Sequence, residues 1–425
     1  MPLAFYFIFI VALLFLNSPI AFSLITPSII YILTNDGLSL SSAMGRLANA
    51  PNSFPLLAVP LFILLGNLMN SGKITDRLFS FARALVGHFP GGLAQANVLA
   101  SIIFSGMSGA AIADSAGLGL VEIKAMKDEG YDLDFSCAVT GASATIGPIF
   151  PPSVPLVIFG VVAQVSVGRL LVGGAVPGLI IGATIMVLIY FLSIRRRLPR
   201  SVKAGMKDLI SIFGKAFPSL LTIIVVLGGM FSGIVTPTEA AMLGVVYSTI
   251  LAFAYRSLNL GGYVEVLRRT MYTVCSVMLI VGGAFLFSYI ITREGVPRMA
   301  AEFFLQISNT RLGFLLLMNL FLIMVGLFME PIVAILVVAP ILIPVAQTFG
   351  IDMVHLGVVM VFNLMIGLLT PPFGLNLYVL NQITGVPYKR ITKAVIPFYI
   401  PLLVTLLLIT LLPDLVTYLP NLLLG

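Results

Sequence analysis

The sequence predicts an all-α polytopic membrane protein built from two structural repeats, and three observations predict it. Of its 425 residues, 59% are hydrophobic and 9% are charged. A soluble domain carries roughly 25% charged residues, so this chain has too few to cover a globular surface. Residues 170–194, 271–292 and 394–412 each run uncharged for about the length that spans a bilayer. Several other apolar stretches are interrupted by Gly and Pro, and the interruptions recur 220 residues apart. At about 20 residues per spanning helix plus loops, the chain has room for on the order of ten to fourteen crossings.

Residues 1–33 have no basic n-region and no small-residue cleavage site, and read as the first membrane element. The densest basic cluster is Arg195, Arg196, Arg197, Arg200, Lys203, Lys207 and Lys215. By the positive-inside rule it faces the cytoplasm. Within it, residues 197–214 are expected to form an interfacial amphipathic helix, with Leu198, Val202, Met206, Leu209, Ile210 and Phe213 along one side. Cys137 and Cys275 lie in apolar segments and read as small buried hydrophobes. His88 and His355 are far apart, which gives a His-based metal site no support.

The repeat is the most informative feature. Aligning 103–152 with 323–372 without gaps gives eleven identities in fifty positions, among them Gly106/Gly326, Gly130/Gly350, Asp132/Asp352, Gly147/Gly367, Pro151/Pro371 and Pro152/Pro372. Five of these six are Gly or Pro, so what recurs is a backbone plan. The chain divides near residue 205, into repeats 1–205 and 206–425. Residues 2–33 and 217–254 each read as one long bent pass or two short ones. Paired hairpins and broken helices favour an inverted arrangement.

Each repeat holds an apolar segment interrupted at its middle. Residues 92–121 carry Ser105-Gly106-Met107-Ser108-Gly109, and 312–349 carry Gly326-Leu327-Phe328-Met329-Glu330-Pro331. The flanks of the first make roughly 20 Å of helix, short of the roughly 30 Å hydrocarbon core, so both segments are expected to be re-entrant hairpins. The next segment of each repeat is also broken. Residues 135–168 contain Gly147-Pro148-Ile149-Phe150-Pro151-Pro152-Ser153, and 354–383 contain Gly367-Leu368-Leu369-Thr370-Pro371-Pro372-Phe373-Gly374. Consecutive prolines remove two amide donors and free earlier carbonyls. Such breaks persist where protein or a polar cavity satisfies the freed groups. Paired breaks in two halves point to a transporter's substrate and ion site.

The freed carbonyls form negative helix ends, and hard oxygen ligands suit Na⁺. One Na⁺ site per repeat is expected, between hairpin tip and neighbouring break: Ser105, Ser108, Gly147, Phe150 and Pro152 in the first, Gly326, Phe328, Gly367, Thr370 and Phe373 in the second, with Thr145 a further hydroxyl. The competing reading is that these small residues only permit close helix packing. Three carboxylates lie in or beside apolar stretches. Thr236-Pro237-Thr238-Glu239 reads as a capping box. Glu330 reads equally as a helix cap or an auxiliary site carboxylate, and Asp114 as a group that tunes a nearby cation or carries a proton. Glu122, Lys124, Lys127, Asp128 and Glu129 read as a solvated hairpin base.

Rival classes fit less well. Gly106-Met107-Ser108-Gly109 matches the Gly-x-Ser-Gly of intramembrane serine proteases, but such an enzyme needs a histidine base, and both histidines are in loop-side positions. Tyr131-Asp132 lacks the Gly-x-Gly-Asp partner of intramembrane aspartyl proteases. No P-loop is present, so ATP does not drive this chain directly. An ion channel or facilitator using the same broken helices remains an alternative.

At these residues the chain resembles the large membrane subunit of the tripartite ATP-independent periplasmic (TRAP) transporters, over nearly its whole length. The resemblance is carried by Phe104-Ser105-Gly106-Met107-Ser108-Gly109-Ala110-Ala111 with Ala113-Asp114, by 147–153, by Thr236-Pro237-Thr238-Glu239-Ala240-Ala241, and by Thr370-Pro371-Pro372-Phe373-Gly374. It leans toward the sialic-acid branch over the C4-dicarboxylate one. The resemblance implies a multi-pass protein of the bacterial inner membrane that is not an enzyme. It further implies an elevator mechanism in which a transport domain holding both hairpins slides against scaffold helices. Uptake of an organic acid anion would run on a Na⁺ gradient, with about two Na⁺ and no ATP or organic cofactor. Implied partners are a small four-helix membrane subunit and a periplasmic substrate-binding protein. Substrate is expected between the two tips, near Ser108, Asn363, Asn67 and Arg46.

Overall fold

The computed structural model describes residues 2–16, 18–35, 39–72, 74–108, 111–201, 203, 205–307 and 310–425, with the side chains of 15, 105–108 and 113 set aside. Among these the regular elements are all helical. Residues 2–33 resolve into two helices, α1 (Leu3–Phe15) and α2 (Ile20–Thr34), because Pro19 sits at the start of the second. Tyr6 and Ser28 join them through their hydroxyls at 2.9 Å. The short amphipathic α3 (Leu40–Asn49) is capped by Ser39, whose Oγ accepts from the Ser42 amide. Pro51 and Pro55 each start a 3-10 turn before α4 (Ala58–Ser71), which α5 (Ile74–Val86) follows.

The first interrupted segment forms α6 (Gly92–Ser108), α7 (Ala111–Ala116) and α8 (Leu118–Asp128). The Leu93 amide at its start donates to the Tyr131 hydroxyl just beyond its end, at 3.4 Å, so the chain returns to its starting point. The return arm runs past residue 121 to Asp128. It also turns Glu122 inward, leaving it 1% exposed, where a solvated hairpin base was expected. The reason is helical phase: Glu122 shares the buried face with Ile123 and Met126, while Lys124, Lys127 and Asp128 face outward.

The first broken helix is α9 (Leu133–Ser143), a 3-10 turn at Ala144–Ile146, then α10 (Val154–Ala163). The 30-residue α11 (Val167–Arg196) follows and stops at Arg197, which adopts a left-handed conformation. Of the interfacial helix expected over 197–214, only 206–214 is helical among the described residues. Instead, the Tyr131 hydroxyl donates to the Pro199 carbonyl at 2.8 Å and the Ser201 amide donates to the Gly87 carbonyl at 2.9 Å. Those bonds hold the chain extended, as Pro199 favours for the residue before it. Helix begins only at Met206 and continues past Gly214 as the 26-residue α12 (Met206–Phe231).

In the second half, α13 (Pro237–Ala254) starts at the capping box of Thr236 and Glu239, which assigns Glu239 to helix initiation. Asn259 caps the 34-residue α14 (Leu260–Arg293), and the amphipathic α15 (Val296–Ile307) follows. The second hairpin is α16 (Arg311–Phe328) and α17 (Pro331–Thr348), joined by two extended residues, Met329 and Glu330. Phe314 near its start stacks on Phe349 just beyond its end, at 5.0 Å, so this segment also turns back on itself. The second broken helix is α18 (Met353–Leu369) and α19 (Leu375–Thr384). The chain closes with α20 (Tyr388–Val395), a 3-10 turn, α21 (Tyr399–Leu411) and α22 (Asp414–Leu424).

Eight helical stretches among the described residues are long and apolar enough to cross a membrane, and further apolar helices of 10–17 residues fall short. The arithmetic of ten to fourteen crossings therefore counted apolar residues that the fold places in half-length helices. Helices α9 and α18 sit at the centre, with every residue from Phe135 to Ser143 and from Val354 to Leu369 buried. Each runs from that core directly into a break.

Candidate functional site

Both breaks are local consequences of proline. Pro151 and Pro152 lack the amides that would have bonded the carbonyls of Gly147 and Pro148, and Pro371 and Pro372 do the same for Gly367 and Leu368. Each Pro–Pro peptide is cis. Ser153 repairs the first break from one side: its Oγ accepts from the Leu156 amide at 3.1 Å and donates to the Pro148 carbonyl. At the second break, the Thr370 amide donates to Gly367 at 2.8 Å, and Thr370 Oγ1 to Ile366 at 2.7 Å. Two tyrosines from the following segment also serve it. The Tyr388 hydroxyl lies 3.0 Å from the carbonyl oxygens of both Pro372 and Phe373, and the Tyr399 hydroxyl donates to Leu369 at 2.8 Å. Tyr388→Phe is expected to lower thermal stability by about 1 kcal/mol, the net worth of one hydrogen bond. Thermal unfolding of the purified detergent-solubilised variant checks this, and an unchanged midpoint would remove the buttress.

Hairpins and breaks converge. A cavity of about 30 Å³ is lined by Ala111 and Ile112 of the first return arm, Pro148 and Pro155 of the first break, Glu330, Pro331 and Ile332 of the second tip, and Met365 and Leu368 before the second break. Its size matches one water or one small ion. Glu330 supplies its carboxylate and caps α17, with Oε2 accepting from the Ile332 amide at 3.0 Å and the Val333 amide at 3.3 Å.

Two close approaches clamp the cavity. A Cβ on Gly147 would lie 2.2 Å from Asp114 Oδ2, so the Asp114 carboxylate of the first return arm rests against the first break. In the second half a Cβ on Gly367 would lie 2.6 Å from the backbone of Gly326, so α16 and α18 meet backbone to backbone. Beside this contact Phe328 and Phe373 pack ring to ring at 4.9 Å. Phe150 and Pro152 lie in the first break, with Phe150 packed over Gly178 of α11. Thr145 is buried and donates to the Ala142 carbonyl at 2.7 Å. The side chains of Ser105 and Ser108 lie outside the described residues.

Four buried polar contacts hold the hairpins in place. Asn97 of α6 donates through Nδ2 to Thr140 at 2.8 Å and accepts at Oδ1 from Ser143 at 2.6 Å. In the second half, Asn319 of α16 donates to Thr410 at 2.9 Å and accepts from Asn363 Nδ2 at 2.9 Å. Ser143 and Asn363 are 220 residues apart, at matching positions before the two breaks. Asn363 is fully buried and also donates to the Val359 carbonyl. Sequence reasoning missed Asn97, Asn319, Ser143, Tyr388 and Tyr399; a lone amide in an apolar run is the signal that would have marked the first two.

The remaining expected substrate residues lie apart from this cavity. Asn67 of α4 donates to Thr270 of α14 at 3.0 Å, which ties two long helices together. Arg46 of α3 places its guanidinium 4.4 Å over the Tyr289 ring, in a separate open cleft.

Comparison with known proteins agrees with this architecture. The family model described as "Tripartite ATP-independent periplasmic transporter, DctM component" matches residues 7–415. The chain is 44% identical to the sialic acid TRAP transporter large permease protein SiaM of Vibrio cholerae, covering 97% of both chains. It is 38% identical to the C4-dicarboxylate TRAP transporter large permease protein DctM of Pseudomonas aeruginosa, covering 90% of both. Among solved structures, the YdaH transporter of Alcanivorax borkumensis superposes with a TM-score of 0.64 at 16% identity, covering 88% of this chain and 89% of that one, a likeness of fold alone.

Proposed function

The chain belongs to the DctM component family of tripartite ATP-independent periplasmic transporters, and we propose that it takes up an organic acid anion by Na⁺-coupled secondary transport. It is a multi-pass membrane permease, and its relatives are permeases, not enzymes. The anion is of the sialic-acid or C4-dicarboxylate type that the relatives' names describe. One observation carries the reading: a single ion-sized cavity is lined by the second hairpin tip, the first hairpin's return arm, the first break and the helix entering the second break.

About two Na⁺ bind between tips and breaks. The Gly147, Pro148, Gly367 and Leu368 carbonyls, the Thr370 hydroxyl and, in the first half, Ser105 and Ser108 are the oxygen donors that suit it. Asp114 and Glu330 add negative charge beside them. Asn363, enclosed by Asn319 and the Val359 carbonyl, acts as a positioning residue for the second break. Residues 1–205 and 206–425 form two inverted repeats. The paired hairpin closures, the paired Asn contacts and the paired breaks support that division. Both hairpins with α9, α10, α18 and α19 form a transport domain that slides against a scaffold including α4 and α14. A small four-helix membrane subunit joins the scaffold, and a periplasmic binding protein delivers the anion.

Uptake into proteoliposomes containing the chain, the small subunit and the binding protein tests this, with and without an inward Na⁺ gradient. Uptake of sialic acid or succinate that collapses without the gradient is the expected result. Flux indifferent to the gradient would favour a channel or facilitator, with the broken helices lining a pore.

A further inference from the structure

Helix α11 ends at Arg196 and α12 begins at Met206, so the two meet at one membrane face. With 30 and 26 residues, they measure roughly 45 Å and 39 Å. Both exceed the roughly 30 Å hydrocarbon core, and the charges at their joined ends place the excess in the headgroup layer. We propose that this junction binds anionic phospholipid. Arg195, Arg197, Arg200, Lys203 and Lys207 take the headgroup phosphate, and the exposed apolar face of α12 takes the upper part of the acyl chains. The site lies apart from the ion cavity and stands independently of the transport reading.

All five cations are exposed. The ion pairs among the described residues use other cations, namely Arg83, Arg268, Arg269, Arg298 and Arg390. Asp208 is the one acid between 195 and 215. Arg196 is spent on packing, with its guanidinium 5.3 Å over the Phe135 ring. A cation in the last turn of α11 also complements the negative helix end, which accounts for Arg195. That account does not reach the others. Lys207 stands in the first turn of α12, where the helix dipole disfavours a cation. Arg200 and Lys203 lie outside any helix, and Arg200 is held between two tethered neighbours. The Pro199 carbonyl accepts from Tyr131 at 2.8 Å, and the Ser201 amide donates to Gly87 at 2.9 Å.

The start of α12 supplies the apolar half. Burial in this helix begins only at Ala216, so residues 206–215 present no buried side chain to the rest of the chain. Met206, Ile210, Phe213 and Phe217 follow at helical spacing and form one outward stripe, turned away from the buried Ala216 and Ser219. Met206 is 73% exposed and Ile210 64%. The Phe213 and Phe217 rings pack on each other at 5.5 Å, which keeps the stripe continuous. A helix that turns apolar side chains outward beside a row of cations lies in the membrane interface.

Charge and apolarity together decide the ligand class. An acidic protein surface would meet the cations and leave the stripe uncovered, whereas an amphiphile with an anionic head satisfies both. A zwitterionic headgroup brings its own ammonium against five like charges. Juxtamembrane clusters of this kind attract anionic lipid by about fivefold per basic side chain, within a screening length of about 10 Å at 0.1 M salt. Tyr131 links the site to the first hairpin: its hydroxyl accepts from the Leu93 amide and donates to Pro199. Lipid bound at Arg200 therefore bears on the base of that hairpin.

The test measures binding of radiolabelled short-chain phosphatidylglycerol and phosphatidylcholine to the complex of the chain with its small subunit in detergent. Phosphatidylglycerol is expected to bind at least about tenfold tighter, with the preference shrinking at high salt. Arg200→Gln, Lys203→Gln and Lys207→Gln should each weaken it by about fivefold, and the triple variant should lose the preference. Ile210→Ser should weaken both lipids several-fold, since it removes an apolar anchor they share. Arg268→Gln combined with Arg269→Gln is the control, because it removes charges already paired with Glu265; phosphatidylglycerol binding should stay within about twofold. These positions are exposed, and thermal unfolding verifies that each variant is folded. Equal affinities for the two lipids in the parent, or a preference kept by the triple variant, would overturn the site. An equal loss in the control pair would reduce the effect to net charge and overturn it too. Full displacement by inorganic phosphate would overturn the lipid assignment. Binding is read directly, so a parent that shows no Na⁺-driven uptake would remove the transport reading and leave this site standing.

Discussion

Gly367→Leu is expected to abolish Na⁺-driven uptake while leaving the chain inserted in the membrane, and Gly367→Ala to cut the initial rate by about a hundredfold. A Cβ at this position falls 2.6 Å from Gly326 Cα and carbonyl carbon and 2.8 Å from the Ile323 oxygen. All three are backbone atoms, so no rotamer change relieves the contact, and α16 must move away from α18. Overpacking of this kind costs about 1–3 kcal/mol, and every 1.4 kcal/mol is about tenfold in a population or rate. Because the displaced helix ends at the hairpin tip, the loss falls on the cavity. Uptake rates normalised to inserted protein measure the effect. Gly228→Ala is the control, since a Cβ there meets no atom within 4 Å. Normal Na⁺ dependence in Gly367→Leu would show that tip and break need not touch.

Gly147→Ala is expected to raise the Na⁺ concentration for half-maximal uptake by about tenfold, with a smaller change in stability. Here the conflicting atom is Asp114 Oδ2, the end of a side chain that can swing aside. The new methyl therefore displaces a carboxylate without pushing helices apart. Moving one unit of negative charge by a few ångströms inside a low-dielectric site is worth about 1–2 kcal/mol at an effective dielectric near 20. A double-mutant cycle separates this from simple crowding. Once Asp114 is replaced by Ala, Gly147→Ala should add little. A full additional loss in the Asp114→Ala background would assign the effect to the backbone of the break.

Much of the path to these residues was legible in the sequence. The interrupted segments expected over 92–121 and 312–349 contain the helices α6, α7 and α8 and the helices α16 and α17, and the helices α9 and α18 end ahead of the Pro–Pro pairs. Glycine and proline act through their own backbone, by an allowed conformation or a missing amide, so their positions alone announce an interruption. The first part of the expected helix over 197–214 failed for a complementary reason, while 206–214 is helical as the start of α12. Its apolar spacing suited an amphipathic helix, but Tyr131 and Gly87, both distant in sequence, take up hydrogen bonds from the segment that helix formation would need.

Family, membrane class, the 220-residue recurrence and the breaks were thus determined by the sequence itself, because each depends on composition or on local backbone chemistry. The tertiary structure decided which glycine faces which: Gly147 meets a carboxylate, whereas Gly367 meets another glycine. It turned Glu122 inward, seated Asn363 against Asn319, and separated Arg46 and Asn67 from the cavity beside the second tip. Those outcomes depend on the separation and rotation of helices far apart in the chain, quantities that packing sets collectively and that no local pattern of residues encodes.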